Sequence, residues 1–208
     1  MALTTAYDPL FSKHAGRLPV AYLRALAQRE SSMRPELAMP GGPGAARGLL
    51  QVVGVVREDY NRRHGTSYSP DDLFNPDVNV KVAADALNKI VVGYSKHPSP
   101  NLKENWENPE FVKLLTAGWN AGFSESGGVG KVASWLERLG SPVTHDSVFD
   151  HAADAGAVVY LQRPERQQWH RSVADLYYQQ PDWPKGPSMI ATLILGGFIA
   201  WGVYRLTT

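Results

Sequence analysis

The chain has 208 residues, 43% of them hydrophobic, which is enough for one domain with a full core and too little for two large ones. Lys and Arg number 21 against 20 Asp and Glu, so no basic excess points to nucleic acid. Cysteine is absent, which excludes disulfides and thiolate chemistry. The six scattered histidines (His14, His64, His97, His145, His151, His170) contain no pair at metal-ligand spacing, so no metal or other cofactor is expected.

The first residues have no basic stretch followed by an apolar run, so no secretory signal peptide is expected there. Apolar spacing predicts a first helix over 18–32, with Leu23, Leu26 and Ala27 on one stripe and Arg24 and Gln28 opposite. Gly and Pro make 39–48 a flexible loop. A helix is predicted over 49–63, although Val52, Val53, Val55 and Val56 also suit a strand. The stretch 67–77 is turn-rich, with Ser69 or Asp71 as an N-cap. Helices follow over 78–94 and 109–121, separated by a polar loop over 96–108. A glycine-rich stretch, 122–130, leads into a short helix over 129–139. Two further helices are predicted over 148–161 and 165–179. No segment of any length alternates with period two. The expected fold class is therefore mainly α.

The C-terminus differs in kind. Residues 189–204 carry no charge, close to the short end of the about 17–25 residues that a membrane helix needs, and Leu206 with Arg205 snorkelling can extend them. Trp201 and Tyr204 lie where an interfacial aromatic belt would be. The expected organisation is one α-rich domain over 1–180, a Pro/Gly linker over 181–188 and a transmembrane anchor over 189–206, making a lipid membrane one partner.

Glu30 is the next position on the apolar stripe of the first helix. A carboxyl at such an edge is poorly solvated, which disfavours its charged form and raises its pKa, as a general acid near neutral pH requires. An ion pair with Arg29, Arg34 or Arg47 is the structural alternative. Two further motifs complement Glu30-Ser31. Gly48-Leu49-Leu50-Gln51 follows the glycine-rich loop and places a glutamine at a predicted helix start. Gly118-Trp119-Asn120-Ala121-Gly122 ends a helix with an aromatic and an amide. One protonatable carboxyl, two amides and an aromatic face suit a carbohydrate. Amides bond to hydroxyl and acetamido groups, and rings pack on the apolar faces of sugars.

In that order the motifs resemble the catalytic domain of soluble-lytic-transglycosylase-type (SLT) enzymes, which have the lysozyme-like fold. The resemblance spans roughly residues 18–178 and includes Leu73-Phe74-Asn75-Pro76-Asp77 and Gly128-Val129-Gly130-Lys131. It implies that Glu30 protonates the glycosidic oxygen between MurNAc and GlcNAc and then, as carboxylate, takes the proton of the MurNAc C6 hydroxyl. The product is a 1,6-anhydro sugar. It further implies a substrate-binding set of Ser31, Gly48, Leu49, Gln51, Trp119, Asn120 and Trp169, in which Ser31 orients the Glu30 region and the substrate and Gly48 permits close backbone approach. The family has a tyrosine before Asn-Ala-Gly where this chain has Trp119. A late family tyrosine, expected to bond the catalytic glutamate, aligns with Trp169, whose indole N–H is the expected replacement. Tyr160 and Tyr177 are the alternatives.

Two other functions compete. A muramidase-type hydrolase needs a second carboxylate, for which Asp146, Asp150 and Asp154 stand at helical spacing. A non-catalytic structural virion protein would keep the fold without the chemistry. A wall-cutting domain with a C-terminal anchor and no signal peptide fits a phage particle protein that opens peptidoglycan locally as the genome enters, with other virion proteins as expected partners in an internal membrane or entry apparatus; a host enzyme at the inner membrane, facing the periplasm, is the alternative.

Overall fold

The computed structural model describes residues 3–181; the linker and the anchor expected over 189–206 lie outside the described residues, apart from Pro181. Among the described residues there are eight α-helices and no strand, only two isolated bridges at Ala38–Arg47 and Arg47–Val52. No described helix is long and apolar enough to cross a membrane.

The helices are α1 (Asp8–His14), α2 (Val20–Ser31), α3 (Gly54–His64), α4 (Pro76–Ser95), α5 (Pro109–Ala121), α6 (Val129–Arg138), α7 (His145–Asp150) and α8 (Pro164–Tyr178). α5 lies at the centre, packed against α4, α6, α7 and α8, and α2 packs along α8. Their shared core includes Tyr22, Leu23, Leu26, Phe111, Leu114, Leu115, Val173 and Tyr177, all fully buried. Tyr22, Trp106, Phe111 and Tyr177 form a ring cluster with centroids 5.2–6.3 Å apart.

Two helices start by the same device. Asn75 and Asn108 each accept the backbone N–H two residues on, and each is followed by proline at the first helical position, which has no N–H to satisfy. The N-cap predicted at Ser69 or Asp71 is therefore corrected: α4 is capped by Asn75, while Ser69 and Asp72 bond each other beside a single 3-10 turn, Asp71–Phe74. α2 ends abruptly because Ser32 and Met33 both adopt the left-handed region, with φ of 54° and 63°. Helix propagation thus stops just past Glu30.

Three expectations fail for identifiable reasons. The helix predicted over 49–63 begins only at Gly54, because Arg47 and Val52 exchange backbone hydrogen bonds across a tight turn and Gln51 has φ of 48°. The helix predicted over 148–161 is instead the six-residue α7, started earlier by a Thr144–Ser147 capping box. Turns up to the left-handed Gly156 follow it, then a 3-10 turn at Val159–Gln162. Arg24, assigned to the polar face, is buried. α1 covers it, and its guanidinium bonds both oxygens of Asp8 (3.0 and 2.6 Å) and Gln180 Oε1.

Candidate active site

A cleft of about 410 Å³ runs across the C-terminal ends of α2 and α5. Glu30, Gln51, Trp119, Asn120, Tyr160, Arg166 and Trp169 line it, with apolar contributions from Met39, Val53 and Val56. Glu30 is half-buried on its floor. Trp119 Nε1 donates to Glu30 Oε1 at 2.8 Å, and Asn120 Nδ2 approaches the same oxygen at 3.4 Å. With two donors on Oε1, the proton of the acid form belongs on Oε2. Burial raises the Glu30 pKa from 4.5 to about 7; the Trp119 and Asn120 donors and the nearby Arg166 charge oppose it without cancelling it. None of Arg29, Arg34 and Arg47 forms an ion pair with Glu30. Arg34 Nε bonds Ser31 O, and Arg47 bonds the carbonyls of Gly42 and Pro43.

The opposite wall is the Gly48–Gln51 turn, held from below by Asn79, which is fully buried. Asn79 Nδ2 donates to Arg47 O and Leu73 O (2.8 and 2.9 Å), and its Oδ1 accepts Leu50 N–H at 2.8 Å. Gly48 has φ of 76°, and a Cβ there would sit 2.1 Å from Leu73 O and 2.3 Å from Asn79 Nδ2, so only glycine fits. Gln51 Nε2 donates to Leu37 O and Gly48 O, at 3.0 and 2.8 Å. Its orientation is thereby fixed with Oε1 left over, and this buried oxygen has no hydrogen-bond partner among the described residues.

The predicted site residues separate into two groups. Glu30, Gln51, Trp119, Asn120 and Trp169 line the cleft. Ser31 and Leu49 do not. Leu49 is fully buried in the core, and Ser31 Oγ donates to Leu49 O at 2.8 Å while accepting Arg34 N–H at 3.1 Å. They join α2 to the turn, with Gly48 as the close-packed residue between. The indole donor to Glu30 comes from Trp119 rather than from Trp169, whose ring packs edge-on against His170 with centroids 5.6 Å apart. Tyr160 does stand in the cleft, but its hydroxyl donates to Asn120 Oδ1 at 2.9 Å, and Tyr177 is fully buried in the core.

Among the described residues lining this cleft, Glu30 is the only carboxylate. Asp59, in the adjoining groove, is ion-paired with Lys89 and Arg63, which hold it well below the usual carboxylate range. Asp146 and Asp154 pair with Arg171 and His151, and the helix that would have aligned them ends at Asp150. Arg166 was not singled out from sequence. It lies over the Tyr160 ring, 5.0 Å from its centroid, and no local pattern marks it.

Residues 11–138 match the family described as Transglycosylase SLT domain. The chain belongs to this family. Three solved structures share its fold. The 70 kDa soluble lytic transglycosylase from Escherichia coli matches with a TM-score of 0.57 at 20% identity, over 85% of this chain and 24% of that one. An inactive mutant of the lytic transglycosylase Slt from Pseudomonas aeruginosa matches with a TM-score of 0.57 at 20% identity, over 88% of this chain and 25% of that one. A 70 kDa soluble lytic transglycosylase in complex with bulgecin A matches with a TM-score of 0.56 at 21% identity, over 84% of this chain and 24% of that one. The chain thus spans about a quarter of the length of these SLT-domain proteins. No curated protein matches it.

Proposed function

We propose that this SLT domain is a peptidoglycan lytic transglycosylase that cuts the MurNAc-GlcNAc β-1,4 bond with formation of 1,6-anhydroMurNAc. The observation that carries the reading is Glu30: a lone cleft carboxyl, half-buried, with both donors on one oxygen and a pKa near neutrality. In the first half-reaction the Oε2 proton passes to the glycosidic oxygen as the C1–O bond breaks, and GlcNAc leaves with a free 4-hydroxyl. In the second, the MurNAc C6 oxygen bonds to C1 and its proton passes to the Glu30 carboxylate, restoring the acid. One group serves both steps because its pKa lies near the working pH.

Gln51 Oε1 is the free acceptor for a sugar hydroxyl or acetamido N–H, and Trp169 offers a ring to the sugar face. Ser31, Gly48 and Leu49 fix the distance between the two walls. A hydrolase would need a second carboxylate within reach of an attacking water, and the lining of the cleft favours the cyclisation instead.

Digestion of purified peptidoglycan followed by mass spectrometry tests the reading. Anhydro ends are expected. Reducing ends would replace it with a muramidase, and equal clearing by Glu30→Gln would remove Glu30 as the acid. The charge-free run over 189–204 supports a membrane-bound enzyme whose cutting is local. Detergent-dependent fractionation tests that part, and detection in purified phage particles tests the virion setting.

A further inference from the structure

The cleft is positively charged before any substrate enters it. Its one carboxyl among the described residues, Glu30, is largely protonated below about pH 7. Two arginines line the same cleft: Arg29, exposed, and Arg166, half-buried. No carboxylate of the described residues pairs with either of them. Glu30 feels the Arg166 charge, which opposes the rise of its pKa, but the two form no ion pair.

Arg166 is the more informative arginine. Its guanidinium lies over the Tyr160 ring, 5.0 Å from the centroid, and donates toward the Tyr160 hydroxyl. That hydroxyl in turn donates to Asn120 Oδ1 at 2.9 Å, so Arg166 is held against the wall that carries Glu30. Arg166 Nε is nevertheless buried and has no hydrogen-bond partner among the described residues. A guanidinium carries its N–H donors in a planar fork and keeps its charge at any working pH. Stacking on Tyr160 does not need those donors. A half-buried cation with a spare donor and no counter-ion is costly until an anion enters.

The glycan offers such an anion at one place. A β-1,4 chain of GlcNAc alone is neutral. MurNAc carries a lactyl group on its C3 oxygen, and its carboxylate is free on peptide-free strands. On other strands it is amide-linked to a stem peptide, which then supplies the first free carboxylate. C3 belongs to the same ring as the C1 that Glu30 serves, separated from it by C2 alone. The branch of the sugar being cut therefore hangs in the same cleft.

We infer that Arg166 binds the carboxylate on the C3 branch of MurNAc and so selects MurNAc-bearing strands over neutral GlcNAc chains. The inference rests on the cleft being a peptidoglycan site, as proposed above. The lactyl carboxylate is the expected source. The Arg166 charge is felt at Glu30, which puts it beside the scissile bond, where a short branch reaches.

Calorimetry on the full chain carrying Glu30→Gln reads affinity apart from turnover, and product analysis of the same mixtures reads the role of Glu30 separately. Three tetrasaccharides are compared: a peptide-free GlcNAc-MurNAc repeat, the same repeat bearing stem peptides, and chitotetraose. The peptide-free repeat is expected to bind about tenfold tighter than chitotetraose, as one charge-assisted bond allows, and the margin should shrink in ~1 M salt. Adding Arg166→Met, which keeps an unbranched side chain on the Tyr160 ring, should abolish the margin and leave chitotetraose affinity within about twofold. Arg166→Lys should restore only part of it, because an ammonium lacks the fork. A margin confined to the stem-bearing repeat would support the inference with the stem as the source. In the arginine-containing chain, the Arg166 Nε–H resonance should shift with the carboxylate-bearing repeat and not with chitotetraose, a readout that needs no Arg166 variant to fold. Equal affinity for all three glycans, an Arg166→Met that weakens all three alike, or an unmoved Nε–H resonance would overturn the assignment. Binding of none of the three would overturn the peptidoglycan reading itself, and the inference with it.

Discussion

Glu30, Trp119 and Asn120 reach the cleft from the last turns of two helices, whereas Gln51 reaches it from a non-helical turn that Gly48 opens. The helical wall carries the chemistry: its side chains meet solvent, and their bonding sets a proton's position. The turn wall carries shape, through one glycine, one left-handed glutamine and the three hydrogen bonds of Asn79. Substitutions on the first wall should therefore change rate and pH dependence in a folded protein, and substitutions on the second should change stability.

The sharpest test is Glu30→Gln. Activity on peptidoglycan is expected to fall about 10²–10⁴-fold in a turnover assay. Stability should move the other way. The Glu30 pKa is raised on folding, so between about pH 4.5 and 7 the folded state holds more protons and stability is lost as pH rises. Above pH 7 the full cost of the buried carboxylate is present, up to about 3 kcal/mol at ~1.4 kcal/mol per pH unit. Chemical denaturation should therefore find the variant more stable at pH 8 and equal to wild type at pH 4.

Gly48→Ala comes next and tests the other wall. The clash with Leu73 O and Asn79 and the strain at φ of 76° should cost about 3 kcal/mol or more, read as a lower denaturation midpoint. Asn79→Ala removes three hydrogen bonds and leaves Leu50 N–H without its acceptor, while Arg47 O keeps Val52 N–H, and should cost about 2 kcal/mol in the same assay. A Gly48→Ala of wild-type stability but low activity would erase the division between the walls. The smallest effect is expected from Trp119→Phe, which removes the 2.8 Å donor to Glu30 while keeping a ring. That donor lowers the Glu30 pKa, so its loss should carry the alkaline limb of kcat/KM above pH 7, with about a tenfold fall in kcat.

The helical wall was the more legible of the two in the sequence. α5 was expected over 109–121 and occupies those residues, because an amphipathic run, an Asn108 cap and Pro109 agree about where it begins. Glu30 could be picked out because it continues a stripe, a property of spacing alone. The turn wall was misread as helix because Gln51 adopts a left-handed conformation that only Asn79, 28 positions on, makes affordable. The source of the indole donor was assigned to Trp169 instead of Trp119, since ring direction at a helix end follows from packing and not from register. Arg166 was invisible for a related reason: it sits on α8 and Tyr160 on the 3-10 turn before it, and their meeting depends on how both pack against α5.

The abrupt stop of α2 at Ser32 and Met33 has an electrostatic side as well. Glu30 occupies the last turn of α2, and the oxygen it shares with Trp119 and Asn120 faces the last turn of α5. The carboxyl ends of both helix dipoles therefore point toward the same group. Each such end is worth about 0.3–1 kcal/mol against a negative charge, added to the effect of burial. A carboxylate at a helix N-terminus would be stabilised as the anion; here the chain places its acid where two backbones resist ionisation. The proton affinity of Glu30 is in this way written into where the helices end, and a redesign that carried α2 one turn further would make the residue a weaker base and a stronger acid with no substitution in the cleft.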